Sequence, residues 1–465
     1  MAVVPTLANA PRDILREVFT HGVIYGMTVN NKGERVELRA TLSAVCHQWK
    51  TIVDATPLLW SLVYITLGRP PSRESWDLAM ARSGTQPLDI TVRSGGCPFE
   101  KELSAVTHVM QLLTPHIRRW KLIHLSLDDM VNVKAAVSLW KGTADALEEI
   151  FLSSEPECDS DIEVELALDP TFTAPKLQVF ALYDIPIMKG GGRLPKHFPV
   201  LDELSLVRST FTETTGNSWP RLAQVLKNLK HLRSLNFVPE HGGDDDDDED
   251  EDEEDEDEDD ENVPDVSSLP SLPALEELIV MDMSLSAINK LLGTFTAPRL
   301  SKLEIASYES GDDEEERLPK TKKLLNRFPS LRTLRLCDSV DAMELENVKY
   351  LAEDFERLEI THVDLEPLFQ MLTKRTTRSK WPIPRLRSME MHFGEKVPVA
   401  ALRGLVEACA TAGHAIESVA VHTASQCPQK DNSWFGRNVQ KFSWTSVSDI
   451  HAGASSVTLV YGPRA

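Results

Sequence analysis

The sequence predicts an α/β protein, in which a small N-terminal helical module precedes a curved solenoid of repeats with a parallel sheet. Three observations carry this. A strand-like pattern, L-x-x-L-x-L, returns eleven times between Ile117 and Val421. Segments with helical spacing, of which Leu222/Val225/Leu226/Leu229 is the clearest, lie between the copies. The first 66 residues lack the repeat and instead carry short amphipathic helices. One strand with one helix cannot bury its own apolar face, whereas stacked copies build a continuous core.

The N-terminal module, residues 5–66, starts with Pro11 where a first helical turn tolerates proline. Ile14, Leu15, Val18 and Phe19 follow at helical spacing and predict one apolar face. Leu42, Val45, Cys46, Trp49 and Val53 predict a second helix with one apolar face. Thr56 and Pro57 are an N-cap and first-turn pair for a third short helix holding Leu58, Leu59 and Trp60.

This ordered set resembles a fungal, basidiomycete-type F-box. The family pattern runs Leu-Pro-x-Glu-Ile-Leu-x-x-Ile-Phe, a variable loop, Leu-x-x-Val-Cys-x-x-Trp and a Pro-x-Leu-Trp-like close. Pro11, Asp13, Ile14, Leu15, Val18 and Phe19 match the first block. Leu42, Val45, Cys46, Trp49, Ile52, Thr56, Pro57, Leu59 and Trp60 match the second. Ala10 stands where the family has leucine, and His21 to Glu37 is a long insert between helices. The resemblance implies docking to the Skp-type adaptor of a cullin–RING ubiquitin ligase. It implies adaptor-binding roles for Pro11, Ile14, Leu15, Val18, Phe19, Leu42, Val45, Trp49, Pro57 and Trp60.

Residues 67–115 read as a linking strand–helix segment. Glu74 to Ala81 predicts a helix, Leu88, Ile90 and Val92 alternate as in a strand, and Leu103 to Leu113 predicts another helix. A helix ending in Arg-Ser-Gly before Pro-Leu and a strand is also similar to the segment C-terminal to the F-box in many of these proteins.

The solenoid is placed at residues 116–445, and its pattern is the signature of leucine-rich repeats. It opens with Ile117/Trp120/Leu122 and includes Leu232/Leu235/Phe237, Leu275/Leu278/Val280 and Leu331/Leu334/Leu336. Val439/Phe442/Trp444 is a degraded twelfth copy. Phe172 to Phe180 nearly duplicates Phe295 to Leu303, and Phe198-Pro199-Val200-Leu201 matches Phe328-Pro329-Ser330-Leu331. The prolines are expected to end the preceding helix and orient the chain for the strand. Residues 446–465 have little helical period and read as a C-terminal cap or tail.

Copies recur every 24 to 31 residues, except for one interval of 43 between Leu232 and Leu275. That interval contains Asp244 to Glu261, 18 unbroken acidic residues, and 43 − 18 = 25 is an ordinary spacing. The block therefore reads as a disordered insertion into one repeat. Two roles stay open for it, a solvated loop or an electrostatic lure for a basic protein. Outside it the net charge is −23 + 18 = −5, which argues against a nucleic-acid backbone as ligand.

The sequence holds no constellation for catalysis. Gly190-Gly191-Gly192-Arg193 lacks the spacing of a phosphate loop. His116, His124, His392 and His422 lie in or beside predicted strands without metal-ligand spacing. Lys374, Arg375, Arg378 and Lys380 read either as an import signal or as a solvated helix end. No apolar run is long enough for a membrane span, and the six cysteines are scattered without a C-x-x-C pair. The expectation is an intracellular, cytoplasmic or nuclear, non-enzymatic binding protein without cofactor or metal. Its partners would be the adaptor, through it a cullin, and an unknown protein target, with no membrane. A rival expectation is a leucine-rich-repeat scaffold or chaperone that binds basic proteins through the acidic tract, independent of ubiquitin.

Overall fold

The computed structural model describes residues 10–24, 32–154, 168–185, 197–208, 222, 225–238, 269–281, 283, 288, 291–306, 328–337, 355–361, 369, 372–373, 385–393, 397–423 and 425–446. The acidic block, the glycine-rich loop, the basic cluster at 374–380 and the segment after Ser446 lie outside these. The chain forms two compact units, one mainly Met1–Leu201 and the other Asp202–Arg208 with Glu213–Leu459. Among the described residues no helix is long and apolar enough to cross a membrane.

The first unit begins with α1 (Arg12–Ile24), α2 (Lys32–Val45) and α3 (His47–Asp54), followed by a 3₁₀ turn over Pro57–Trp60. Leu15, Phe19 and Val23 repeat every four residues along α1 and are buried with Ile52, Val53 and Leu59. The second helix expected from Leu42 to Val53 is two helices. Cys46 between them is extended (φ −162°, ψ 167°) and breaks the helical course. The long insert also shrinks, because α1 continues to Ile24 and α2 starts at Lys32.

The described elements that follow in this unit include β1 (Leu62–Thr66), α4 (Arg73–Ser83), β2 (Leu88–Arg93), α5 (Phe99–Leu113), β3 (Trp120–Leu127), α6 (Met130–Ser138), β4 (Glu149–Ser154) and β5 (Val179–Tyr183). All five strands pair in parallel and in sequence order. One core column runs Val63, Ile90, Ile123, Ile150, Phe180; the next runs Ile65, Val92, Leu125, Leu152, Leu182. The sheet thus starts at β1, inside the span assigned to the helical module, and passes through the expected linker. This register also moves the first repeat. It is Trp120/Ile123/Leu125, not Ile117/Trp120/Leu122, because Thr114–Arg119 winds into a 3₁₀ turn before the strand begins. Leu122 then faces the other side of the sheet, where it packs with Phe151 and Ala181.

In the second unit, β6 (Glu203–Val207), β7 (Ser234–Val238), β8 (Glu277–Met281), β9 (Lys302–Ala306), β10 (Thr333–Cys337), β11 (Arg357–Thr361) and β12 (Ser388–Phe393) follow the repeat. They are joined by α7 (Val399–Thr411), β13 (Ser418–Thr423), α8 (Gln429–Asn438) and β14 (Lys441–Ser446). These strands also pair in parallel in sequence order. Leucines at the fourth repeat position form one column, among them Leu235, Leu278, Leu303 and Leu334, all fully buried. Across the 43-residue interval Leu235 still pairs with Leu278 and Phe237 with Val280, so the register is kept. The degraded twelfth copy is a true strand, with Phe442 opposite Val419 and Trp444 opposite Val421.

A shared turn leads into several strands. The N–H of Leu177, Leu300 and Leu331 donates to the carbonyl of Ala174, Ala297 and Phe328, each at 3.1 Å. Pro175, Pro298 and Pro329 thus occupy the second position of a β-turn, where their fixed φ is favourable.

Candidate binding surfaces

The described residues present two surfaces with the composition of a binding site, and a cavity. The first surface belongs to the N-terminal helices. With Leu15 and Phe19 turned inward, α1 shows a second stripe at the same spacing, and Ile14 and Val18 on it are 56 % and 48 % exposed. Val45, in the last turn of α2, is 55 % exposed. Pro11 and Pro57 are exposed too. Phe19 packs on Trp49 with ring centroids 4.7 Å apart, and Leu42, Trp49 and Trp60 are half-buried against the same core. Of the ten residues assigned to adaptor binding, Leu15 and Phe19 therefore belong to the core, and Ile14, Val18 and Val45 are the large apolar side chains left open. The sequence placed Ile14 and Leu15 on one face without ranking them, because adjacent residues on a helix differ by only about 100°.

The second surface runs along the second unit's sheet and combines the residues just before its strands with the strand face opposite the leucine columns. At the second repeat position, Asp202, Arg233 and Glu276 alternate in sign, as do Arg332, Glu356, Arg387 and Glu417. Arg233 bridges Asp202 at 3.8 Å and Glu276 at 3.1 Å, and Arg332 meets Glu356 at 3.4 Å. These exposed pairs contribute little each. Next-but-one strands carry like sign at this position and would repel, so the alternation disfavours pairing out of sequence order.

Within the strands the charges are more enclosed. Lys302 Nζ lies 2.7 Å from Glu277 and 3.4 Å from Glu304, and Arg335 reaches Glu304 at 3.3 Å. Burial pulls the Lys302 pKa down, but the hydrogen bond and charge of Glu277, with Glu304, outweigh it and leave the amine above its ordinary value. Arg357 is held by Glu359 at 2.9 Å and by Glu390 Oε2 at 2.5 Å.

The ladder ends in two histidines. His392 and His422 face each other in register on β12 and β13. Their rings stack with centroids 4.4 Å apart and 11° between planes. Both Nε2 atoms approach Glu390 Oε1, at 3.2 Å and 3.7 Å. Burial opposes ionisation of Glu390, yet the His392 hydrogen bond and Arg357 hold its pKa below the ordinary range. Burial, followed by the charge of His422, lowers the pKa of His392 despite Glu390. The corresponding row on the earlier strands is Val207, Val238, Met281, Ala306, Cys337 and Thr361, all buried. Thirty residues separate the two histidines in the chain, so no local spacing announces the pair; only the repeat alignment of Met391 with Val421 does.

The cavity, about 440 Å³, lies at the C-terminal ends of β1, β2 and β3, between Tyr64, Arg93, Ser126 and Asp128. Beneath it Glu102 is fully buried. Its Oε1 accepts from the Ser94 hydroxyl and from the Asp128 N–H. Burial raises the Glu102 pKa more than those hydrogen bonds lower it, and the charges of Asp128 and Asp129 add to the rise. His116 and His124 stand apart from this site: the first packs on Trp76 and the second on Phe151.

No known family model matches the chain, and no characterised protein matches it.

Proposed function

We propose that this chain is the substrate-recruiting subunit of a cullin–RING, SCF-type ubiquitin ligase. In this reading the N-terminal helices dock the Skp-type adaptor, the repeat sheet holds a protein target, and the chain contributes no catalytic group. The observation that supports it is the open apolar trio Ile14, Val18 and Val45, on helices whose other faces already fill a core. Exposed apolar side chains of this size gain most when a partner covers them. The charged ladder around Glu304, Arg335 and Arg357 suits a polar target surface, since such arrays select partners by charge pattern.

The test is co-purification of the full chain with a Skp-type adaptor and cullin. The parent should retain both at near-equal stoichiometry, and the Ile14→Asp/Val45→Asp double variant should lose both while melting like the parent. A parent that captures neither, or a double variant that still binds the adaptor, would reject the proposal. Capture of basic proteins alone would favour a scaffold acting through the acidic tract.

A further inference from the structure

We infer that Glu390, His392 and His422 form a zinc site. The three candidate ligands lie on β12 and β13, Arg357 on β11 supports one of them, and the inference is independent of adaptor docking. Glu390 and His392 are two residues apart on one strand, so their side chains leave the same face. His422 is the in-register neighbour of His392 on the next strand. One ligand atom from each residue can be chosen so that all three lie within 4.8 Å of one another. A tetrahedral ion bound at about 2.0–2.2 Å by imidazole nitrogen and carboxylate oxygen needs this set to contract and the two stacked rings to turn until their planes meet at the ion.

Three features favour a metal over a chance cluster. His392 Nε2 is hydrogen-bonded to Glu390 Oε1, and His422 presents the same nitrogen 3.7 Å from that oxygen. The other oxygen of Glu390 is fixed by Arg357, which keeps Oε1 aimed at the histidines, as outer partners of ligating carboxylates do. The two histidines also replace what is a buried, mostly apolar row on the earlier strands. Two imidazoles and one carboxylate match the donor preference of Zn²⁺ rather than of Mg²⁺ or Ca²⁺, which take oxygen ligands. Three protein ligands leave a fourth position for water.

The experiment uses the full chain, stripped with chelator, in excess Mg²⁺ so that carboxylate-only sites such as the acidic block are occupied. Co²⁺ is titrated as the spectroscopic stand-in for Zn²⁺ and then displaced with Zn²⁺. One equivalent should produce ligand-field bands of a low-coordinate site, and one equivalent of Zn²⁺ should abolish them. His392→Ala, His422→Ala and Glu390→Gln should each weaken binding at least about ten-fold. Since these side chains are only half-buried, the variants should melt like the metal-free parent. Absence of the bands in the parent overturns the inference whatever the variants do, as do bands that persist in both histidine variants.

Discussion

The indole N–H of Trp60 donates to the carbonyl oxygen of Val53 at 2.9 Å. Val53 lies in the last turn of α3, and its carbonyl also accepts from the Thr56 N–H at 3.2 Å. The Trp60 ring also carries the guanidinium groups of Arg39 and Arg82, 4.3 Å and 4.4 Å from its centroid. Arg39 in turn donates to the Leu59 carbonyl, and Arg82 pairs with Asp54 at 2.9 Å. Trp60 thus ties α2, α3 and α4 together. Trp60→Phe should cost about 1 kcal/mol, the lost hydrogen bond, and Trp60→Ala about 2–4 kcal/mol. Denaturant melts of the two variants decide this, and an alanine variant as stable as the parent would contradict it.

Leu15 and Ile14 are neighbours in sequence with opposite fates. Leu15→Asp places an unpaired charge in the helical core and should cost several kcal/mol. Ile14→Asp stays in solvent and should change stability by about 0.5 kcal/mol or less. Comparable melting losses in the two variants would mean that α1 is rotated from the orientation described.

The leucine columns and the outer charge ladder should separate in the same way. Leu334→Ala removes a fully buried repeat leucine and should cost about 2–5 kcal/mol. Arg332→Ala breaks an exposed pair with Glu356 and should cost less than about 1 kcal/mol, shrinking with added salt. Chemical denaturation at low and high salt measures both, and a salt-independent loss in Arg332→Ala would show that its pair is not electrostatic.

Glu102 gives the first unit a pH dependence. Its folded-state pKa is raised, so the folded chain holds the proton more tightly than the unfolded chain. This contribution to stability is complete below the ordinary glutamate value of about 4.3 and is lost as pH rises through the raised folded value. Glu102→Gln cannot titrate, so the corresponding fall should vanish from its melting profile. Thermal melts at stepped pH test the difference; parallel profiles for parent and variant would place the titration elsewhere.

Deleting Asp244 to Glu261 should shift stability by about 1 kcal/mol or less, since loop closure depends weakly on length and β7 and β8 already pair in register across the interval. A melt of the deleted chain measures this. A large loss would show that the block packs.

The repeat was legible because each strand shows an apolar residue at fixed places, and from Leu147 onward the predicted copies coincide with strands. Ile117 misled because it is also apolar and buried, and the five apolar residues Ile117, Trp120, Leu122, Ile123 and Leu125 fit two registers three residues apart. Pairing with β4 chooses between them, and that is not local information. β1 and β2 were missed as members of the sheet because Val63/Ile65 and Ile90/Val92 alternate without the leading leucine of the pattern. The break at Cys46 has no glycine or proline to mark it. For the candidate sites, helical spacing identified the N-terminal apolar residues but not which point outward. The meeting of Glu390 with His392 and His422 depends on strand register and could be seen only once the strands were laid side by side.

Among the described strands of each unit, pairing joins only strands that are consecutive in the chain. Contacts across the sheet therefore close loops of a few dozen residues and never of hundreds, which keeps the entropy of each closure modest. During synthesis, a newly emerged strand finds its template edge already laid down by the previous copy, so each unit can be built in the order in which it is translated.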